Sequence, residues 1–135
     1  MKKALLTLRT VYIVSTLIIV VLVGFIGGIV DIIQTQNVVD VAATLGYPLY
    51  FFTLLGIFKV LGAMALLLPN NFEKIRLLAY FGFAVDFIFA SFSHYSINDT
   101  IINILVPLGF LSVLTISYFL SSTNSIYKSK ATQKE

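Results

Sequence analysis

Apolar residues fall along this chain in four long blocks separated by short polar runs, not in the alternating or one-sided stripes of a soluble fold. The blocks cover about Thr10–Val30, Leu49–Leu68, Leu77–Phe92 and Ile101–Leu120. A helix that crosses a bilayer needs about 20 predominantly apolar residues, at about 1.5 Å rise each. The pattern therefore predicts spanning helices over residues 10–33, 49–68, 76–94 and 101–120, the third reaching the interfaces only with its polar ends. Pro69-Asn70-Asn71 closes the second block, because proline cannot extend the hydrogen-bond ladder and asparagine favours turns. Asn98-Asp99-Thr100 introduces the fourth as a run of good N-caps. Residues 121–135 are polar and lysine-bearing, and are expected to fray as a tail. The expected fold is all-α: a single membrane domain over 1–135, a four-transmembrane-helix bundle with antiparallel up-down neighbours.

The basic start, with Lys2, Lys3 and Arg9 ahead of the first block, has the order of a signal peptide. A signal core is only about 7–15 residues long with a small-residue cleavage site close behind. Here the apolar run is longer, and Gln34-Thr35-Gln36-Asn37 follows before the nearest such site at Ala42-Ala43. The block is expected to remain as a transmembrane helix.

Composition agrees with lipid as the solvent. The chain is 59% hydrophobic and 11% charged, against roughly 45–50% apolar usage in soluble domains. A net charge of +3 and an isoelectric point near 9.2 raise the question of nucleic acid. Placement of the charge answers it. Of nine Lys and Arg, eight lie at the N-terminus (Lys2, Lys3, Arg9), between blocks two and three (Lys74, Arg76) or in the tail (Lys128, Lys130, Lys134). Cytoplasmic loops retain Lys and Arg, so both termini are expected in the cytoplasm and the chain in the cell (inner) membrane. No nucleic-acid partner is needed. The tail could also meet anionic headgroups, each basic residue adding about 1 kcal/mol near the surface.

The ninth basic residue is Lys59, ten residues from Leu49 and ten from Pro69; Asp86 sits ten residues beyond Arg76. Ten residues rise about 15 Å, half of a hydrocarbon core about 30 Å thick. Lys59 and Asp86 are thus expected at one depth near the midplane, on consecutive helices, as each other's partner. A charge at that depth costs about 2.5–3.5 kcal/mol and normally faces a partner or a cavity. Two readings stand: a staple holding the helices in register, or a ligand-binding or proton-conducting pair.

Asp86 shares a helix face with Gly82, Ala90, Ser93 and His94, a polar line towards the outer surface. Gly56, Gly62 and Ala63 flank Lys59, and Gly24, Gly27 and Gly28 lead to Asp31, which is expected at the outer end of the first helix. Asn103 and Pro107 are candidates to open the fourth helix locally. Candidate ligand-binding or proton-path residues are therefore Lys59, Asp86, His94, Asp31, Ser93 and Asn103, with Tyr47, Phe51, Phe52, Phe83, Phe87 and Tyr95 as candidate aromatic lining. The 135 residues contain no cysteine and one histidine. Thiolate metal sites, a dithiol relay and a bis-histidine haem within one chain are excluded. No metal-ligand spacing, Ser-His-Asp order, phosphate loop or dinucleotide fingerprint occurs, and no catalytic set is identified.

Leu45-Gly46-Tyr47-Pro48 entering a helix, the run Gly56-Ile57-Phe58-Lys59-Val60-Leu61-Gly62, and Ala65-Leu66-Leu67-Leu68-Pro69 together resemble the DoxX-like family of small bacterial membrane proteins. So do Ala79-Tyr80-Phe81-Gly82-Phe83 with Asp86 and then Ser93-His94. The resemblance covers about Asp31 to His94. It departs from the family pattern just before Ala79, where Leu77-Leu78 stands in place of a Glu-Trp pair. The resemblance implies a four-helix fold, and the family's namesake relatives look like membrane subunits of a thiosulfate:quinone oxidoreductase. The functional expectation is a membrane protein that binds a lipophilic small molecule such as a quinone, as a possible subunit of a membrane oxidoreductase with a homo-oligomeric, membrane or periplasmic redox partner. The alternatives are a proton-linked small-solute transporter and a non-catalytic scaffold subunit.

Overall fold

The computed structural model describes the backbone of residues 2–132 and the side chains of 6–69 and 71–121. The described chain is helical, without strands. Four helices are long and apolar enough to cross a membrane: Leu6–Ile32, Leu49–Leu66, Glu73–Ser96 and Ile101–Ser121. They are the four that the hydrophobic blocks predict, with ends shifted by a few residues.

The first span has three parts: α1 (Lys2–Ile18), a π-helical stretch (Ile19–Gly27) and α2 (Gly28–Ile32). π-helix is rare and mostly limited to single turns, so nine residues of it are unusual. The segment Ile-Val-Val-Leu-Val-Gly-Phe-Ile-Gly combines β-branched residues with two glycines, a mixture with weak preference for the α-helix.

Between the first and second spans lies α3 (Gln36–Leu45), which the block pattern treats as part of a loop. Val38 and Ala42, one turn apart, are buried against Phe52, with Val30 and Tyr47 alongside. Gly46 ends α3 in the left-handed conformation, φ 74°, and the Tyr47 N–H returns to the Ala42 carbonyl at 2.9 Å. That geometry favours glycine for want of a Cβ. Pro48 then leads into α4 (Leu49–Leu66).

A 3-10 turn (Asn70–Phe72) joins α4 to α5 (Glu73–Ser96). Lys74, which the expected span of 76–94 leaves outside, is therefore helical along with Arg76. Glu73 in the first turn complements the helix dipole and lets α5 begin that early. The last helix, α6 (Ile101–Thr132), continues well past Leu120. Residues 121–132 are helical where a frayed tail is expected, no glycine or proline standing there to stop them. The remaining tail residues, including Lys134, lie outside the described residues.

Neighbours pack in a closed circuit: the first span on α4 and α6, α4 on α5, and α5 on α6. The core joins Ile19, Val20 and Val23 to Ala63, Phe83, Phe87 and Leu114. Phe83, Phe87 and Phe110 stack in series, with ring centroids 6.2 and 5.8 Å apart. The outward positions are apolar: Phe58, Phe81, Phe89 and Ile102 are all exposed. That would be a liability in water and is ordinary in lipid.

Candidate functional site

The first span and α4 approach each other through glycine. A Cβ on Gly28 would stand 2.9 Å from the Gly56 carbonyl oxygen; one on Gly56 would stand 2.5 Å from the Gly28 carbonyl oxygen and 2.9 Å from Asp31 Cβ. One on Gly24 would collide with the side chain of Ala63. Backbone contact of this kind is what small residues allow between membrane helices. Here it brings Asp31 to Lys59.

Lys59 Nζ donates a hydrogen bond to Asp31 Oδ2 at 2.8 Å and stands 3.7 Å from Asp86 Oδ2. One ammonium on α4 is thus flanked by carboxylates from α2 and α5. The side chains of Lys59, Asp31 and Asp86 remain 17%, 11% and 15% accessible, so the cluster is nearly buried without being sealed. The expected Lys59–Asp86 pair exists, but it is the longer of two. Asp31 does lie in the last turn of the first span, but it is buried there and is the closer partner of Lys59.

The reason is register. Counting from block ends assumes that adjacent helices start and stop at one level. Instead the chain leaving the first span is still low against α4: Gln34 Nε2 donates to Thr53 Oγ1 at 2.9 Å, four residues inside the start of α4. α3 occupies the space above.

The other candidate residues form a separate cluster at the end of the bundle where α3 lies. His94 Nδ1 is 2.7 Å from Asp99 Oδ2, Asn103 Nδ2 donates to the same oxygen at 3.0 Å, and the Thr100 N–H donates to Asp99 Oδ1. The Asn103 amide, the Thr100 N–H and His94 together hold the Asp99 carboxyl below the usual carboxylate range. Asn103 therefore ties down the start of α6, where the sequence makes it a candidate to open that helix. The helix runs unbroken through Pro107, and in the turn before it Ser91 Oγ donates to the Ile104 carbonyl at 2.9 Å. His94, Asp99 and Asn103 border a cleft of about 240 Å³ with Asp40 and Thr44 of α3. Ser93 bonds Tyr47 Oη at 2.9 Å, fastening α5 to the segment between α3 and α4. Tyr47 in turn stacks on Phe51, with centroids 4.9 Å apart. The aromatic residues expected to line one pocket thus divide. Tyr47, Phe51 and Phe52 group under α3, Phe83 and Phe87 belong to the core, and Tyr95 is exposed.

A second polar layer, not among the expected site residues, joins the first, third and fourth spans. Arg76, buried in α5, donates from Nη2 to Tyr12 Oη at 2.6 Å and to Ser121 Oγ at 2.8 Å. Deeper in, Ser117 Oγ lies 2.7 Å from Thr16 Oγ1 and 2.9 Å from Tyr80 Oη. The signal was available in Thr16, Tyr80 and Ser117, polar residues inside apolar blocks, but single hydroxyls cost too little in lipid to stand out. Among the described residues no group of three or more His, Asp or Glu is placed to hold a metal ion.

A family model described as the DoxX-like family matches residues 13–117. The chain belongs to the DoxX-like family. The match takes in most of the first and fourth spans as well as the Asp31–His94 stretch that carries the visible resemblance, and it contains all three residues of the charged cluster. With four apolar spans, this DoxX-like protein is a multi-pass membrane protein. No curated protein matches the chain, and no solved structure does.

Proposed function

We propose that this DoxX-like protein binds a lipophilic small molecule with a polar head, such as a quinone, at the Asp31–Lys59–Asp86 cluster. One observation carries the reading: an ammonium and two carboxylates from three helices converge inside the spans and stay partly accessible. Ionisable groups are kept at such depth mainly where a ligand, proton or substrate uses them. On this reading Lys59 donates to a carbonyl or anionic head, and Asp86, the more loosely held carboxyl, gives way to it. The rings of Tyr47, Phe51 and Phe52 supply an apolar approach beneath α3. Any redox step draws its electrons from a partner subunit.

The same reading sets the protein in the cell membrane with antiparallel neighbours and both termini inside, following the eight basic residues outside the cluster. The site then opens towards the outer surface, past α3. Because the chain has no cysteine, orientation is testable directly. A membrane-impermeant maleimide should label Thr44→Cys in intact spheroplasts and spare Lys74→Cys until the cells are broken; the reverse pattern inverts the topology.

The binding reading is tested by extracting quinones and lipids from purified protein. A quinone should accompany the wild type and be depleted in Lys59→Met and Asp86→Asn proteins that keep their unfolding midpoints. Equal recovery from all three ends it. A second reading, a proton-linked solute carrier, is favoured by the presence of two carboxylates for one ammonium. It predicts solute-driven proton flux in liposomes that disappears in Asp86→Asn.

A further inference from the structure

The charges of the cluster do not balance. Asp31 and Asp86 bring two carboxylates to one ammonium, the nearer at 2.8 Å and the farther at 3.7 Å. All three side chains are at least four-fifths withdrawn from solvent, and α4, α5 and the first span supply no further charge at this level. Below the cluster, towards Tyr80, lie Val23, Ala63 and Phe83, all apolar and buried, and Phe87 follows Asp86 directly on α5. α6 carries no Asp, Glu, His, Lys or Arg before Lys128. On α5 itself the next ionisable group is His94, two turns away and bonded to Asp99. Asp40 of α3 receives a hydrogen bond from Gln36 and faces the His94 cleft. Nothing described supplies the missing positive charge.

An uncompensated charge in a medium of low dielectric is far costlier than a neutral, hydrogen-bonded acid. Two carboxylates sharing one site cannot both ionise cheaply. We propose that the cluster holds one exchangeable proton, shared by the two carboxyls and carried chiefly by Asp86, the member farther from the ammonium. Ligand binding that adds a positive charge then releases this proton: the Asp86 O–H bond breaks, its electron pair stays on the carboxylate, and the proton leaves to water on the α3 side past Tyr47 and Ser93. A ligand that brings a negative charge retains it. The site thereby links ligand charge to proton movement. This inference concerns the site's charge and stands whether or not a quinone is what binds there.

The test is a count of protonated carboxyls by infrared spectroscopy, on ligand-free protein in lipid nanodiscs at neutral pH, through the acid C=O band. Wild type should show one such acid. Either Asp31→Asn or Asp86→Asn balances the ammonium with one carboxylate, so the band should vanish in both. Lys59→Gln removes the ammonium, and the band should double. Should an Asn variant fail to fold, Asp86→Glu keeps the acid and should move the band. A wild-type spectrum without the band, or a band unchanged in Asp31→Asn or unmoved in Asp86→Glu, overturns the proposal. Quinone recovery is read separately, so loss of the binding reading leaves this count unaffected.

Discussion

Adding one methyl group at Gly56 should break the cluster from a distance. In Gly56→Ala the new Cβ would lie 2.5 Å from the Gly28 carbonyl oxygen and 2.9 Å from Asp31 Cβ. An ordinary carbon–oxygen contact is about 3.3–3.6 Å, so α2 and α4 must part by about 1 Å. The opposing atoms are backbone and Cβ, which cannot swing aside. The Lys59–Asp31 bond, 2.8 Å long, would stretch beyond hydrogen-bond range. Overpacking costs about 1–3 kcal/mol, and a hydrogen bond between charged groups is worth about 1.5–3 kcal/mol. Discounting the second for residual accessibility, the sum is about 2–4 kcal/mol. Gly82→Ala is the control: its Cβ would meet nothing within 4 Å, and replacing a helical glycine should gain about 0.5–1 kcal/mol. Unfolding of the protein in mixed micelles by rising SDS measures both. In an Asp31→Asn background the cost of Gly56→Ala should fall to the overpacking part alone, a coupling that a double-mutant cycle reads. If Gly56→Ala unfolds with the wild type, or the two costs simply add, the glycine contact does not set the Lys59–Asp31 distance.

Asp31→Ala should destabilise more than Asp86→Ala in the same assay, by about 1–2 kcal/mol, because it removes the 2.8 Å partner rather than the 3.7 Å one; the opposite order would make Asp86 the principal partner. Ser117→Ala leaves both Thr16 and Tyr80 without their shared hydroxyl and should cost about 1–2 kcal/mol, whereas Tyr80→Phe removes one bond and should cost about 0.6 kcal/mol. The Asp99 carboxyl, held below its ordinary value by Asn103, Thr100 and His94, contributes fully above about pH 5, where the unfolded group is almost wholly ionised. That contribution fades as pH falls through the lower folded value. A spin label attached to Ile97→Cys at neutral pH should therefore stay immobile down to about pH 4 and gain mobility only in stronger acid. Asp99→Asn should remove that acid step; an unchanged step places it elsewhere.

How much of this was readable in the residues depends on which physical rule each feature obeys. The spans were legible because exclusion from water acts on every residue of a block, and errors at the ends average out. Lys59 and Asp86 were legible because a charge in lipid is conspicuous and both sit at block centres. Asp31 was not. Its depth depends on where the first span stops relative to α4, which is set by the Gly28–Gly56 contact and not by the length of either block. α3 could have been found: Val38, Ala42 and Leu45 recur at helical spacing, and Gly46 is a natural stop. The polar Gln34-Thr35-Gln36-Asn37 ahead of it hid the stripe. Arg76 illustrates a different limit. Rules for orientation count arginine by its distance along the chain from a span, yet its head turns inward to Tyr12 and Ser121. A charge that the orientation rule counts can thus also be a buried hydrogen-bond hub.

The two polar layers also bear on the choice between functions. Ser117, Thr16 and Tyr80 on one side and Asp31, Lys59 and Asp86 on the other are separated by Val23, Ala63 and Phe83. Phe83 presses its ring edge to 3.0 Å from where a Gly62 Cβ would be, leaving no room for a file of water without moving a ring. A carrier must open that layer once in each cycle, while a binding site reached from the α3 side never needs to. Phe83→Ala separates the two cases. It should leak protons through liposomes while leaving ligand retention near the wild-type level if the apolar layer is a permanent seal. If the layer is a working gate, the same substitution should uncouple solute from proton movement and abolish accumulation.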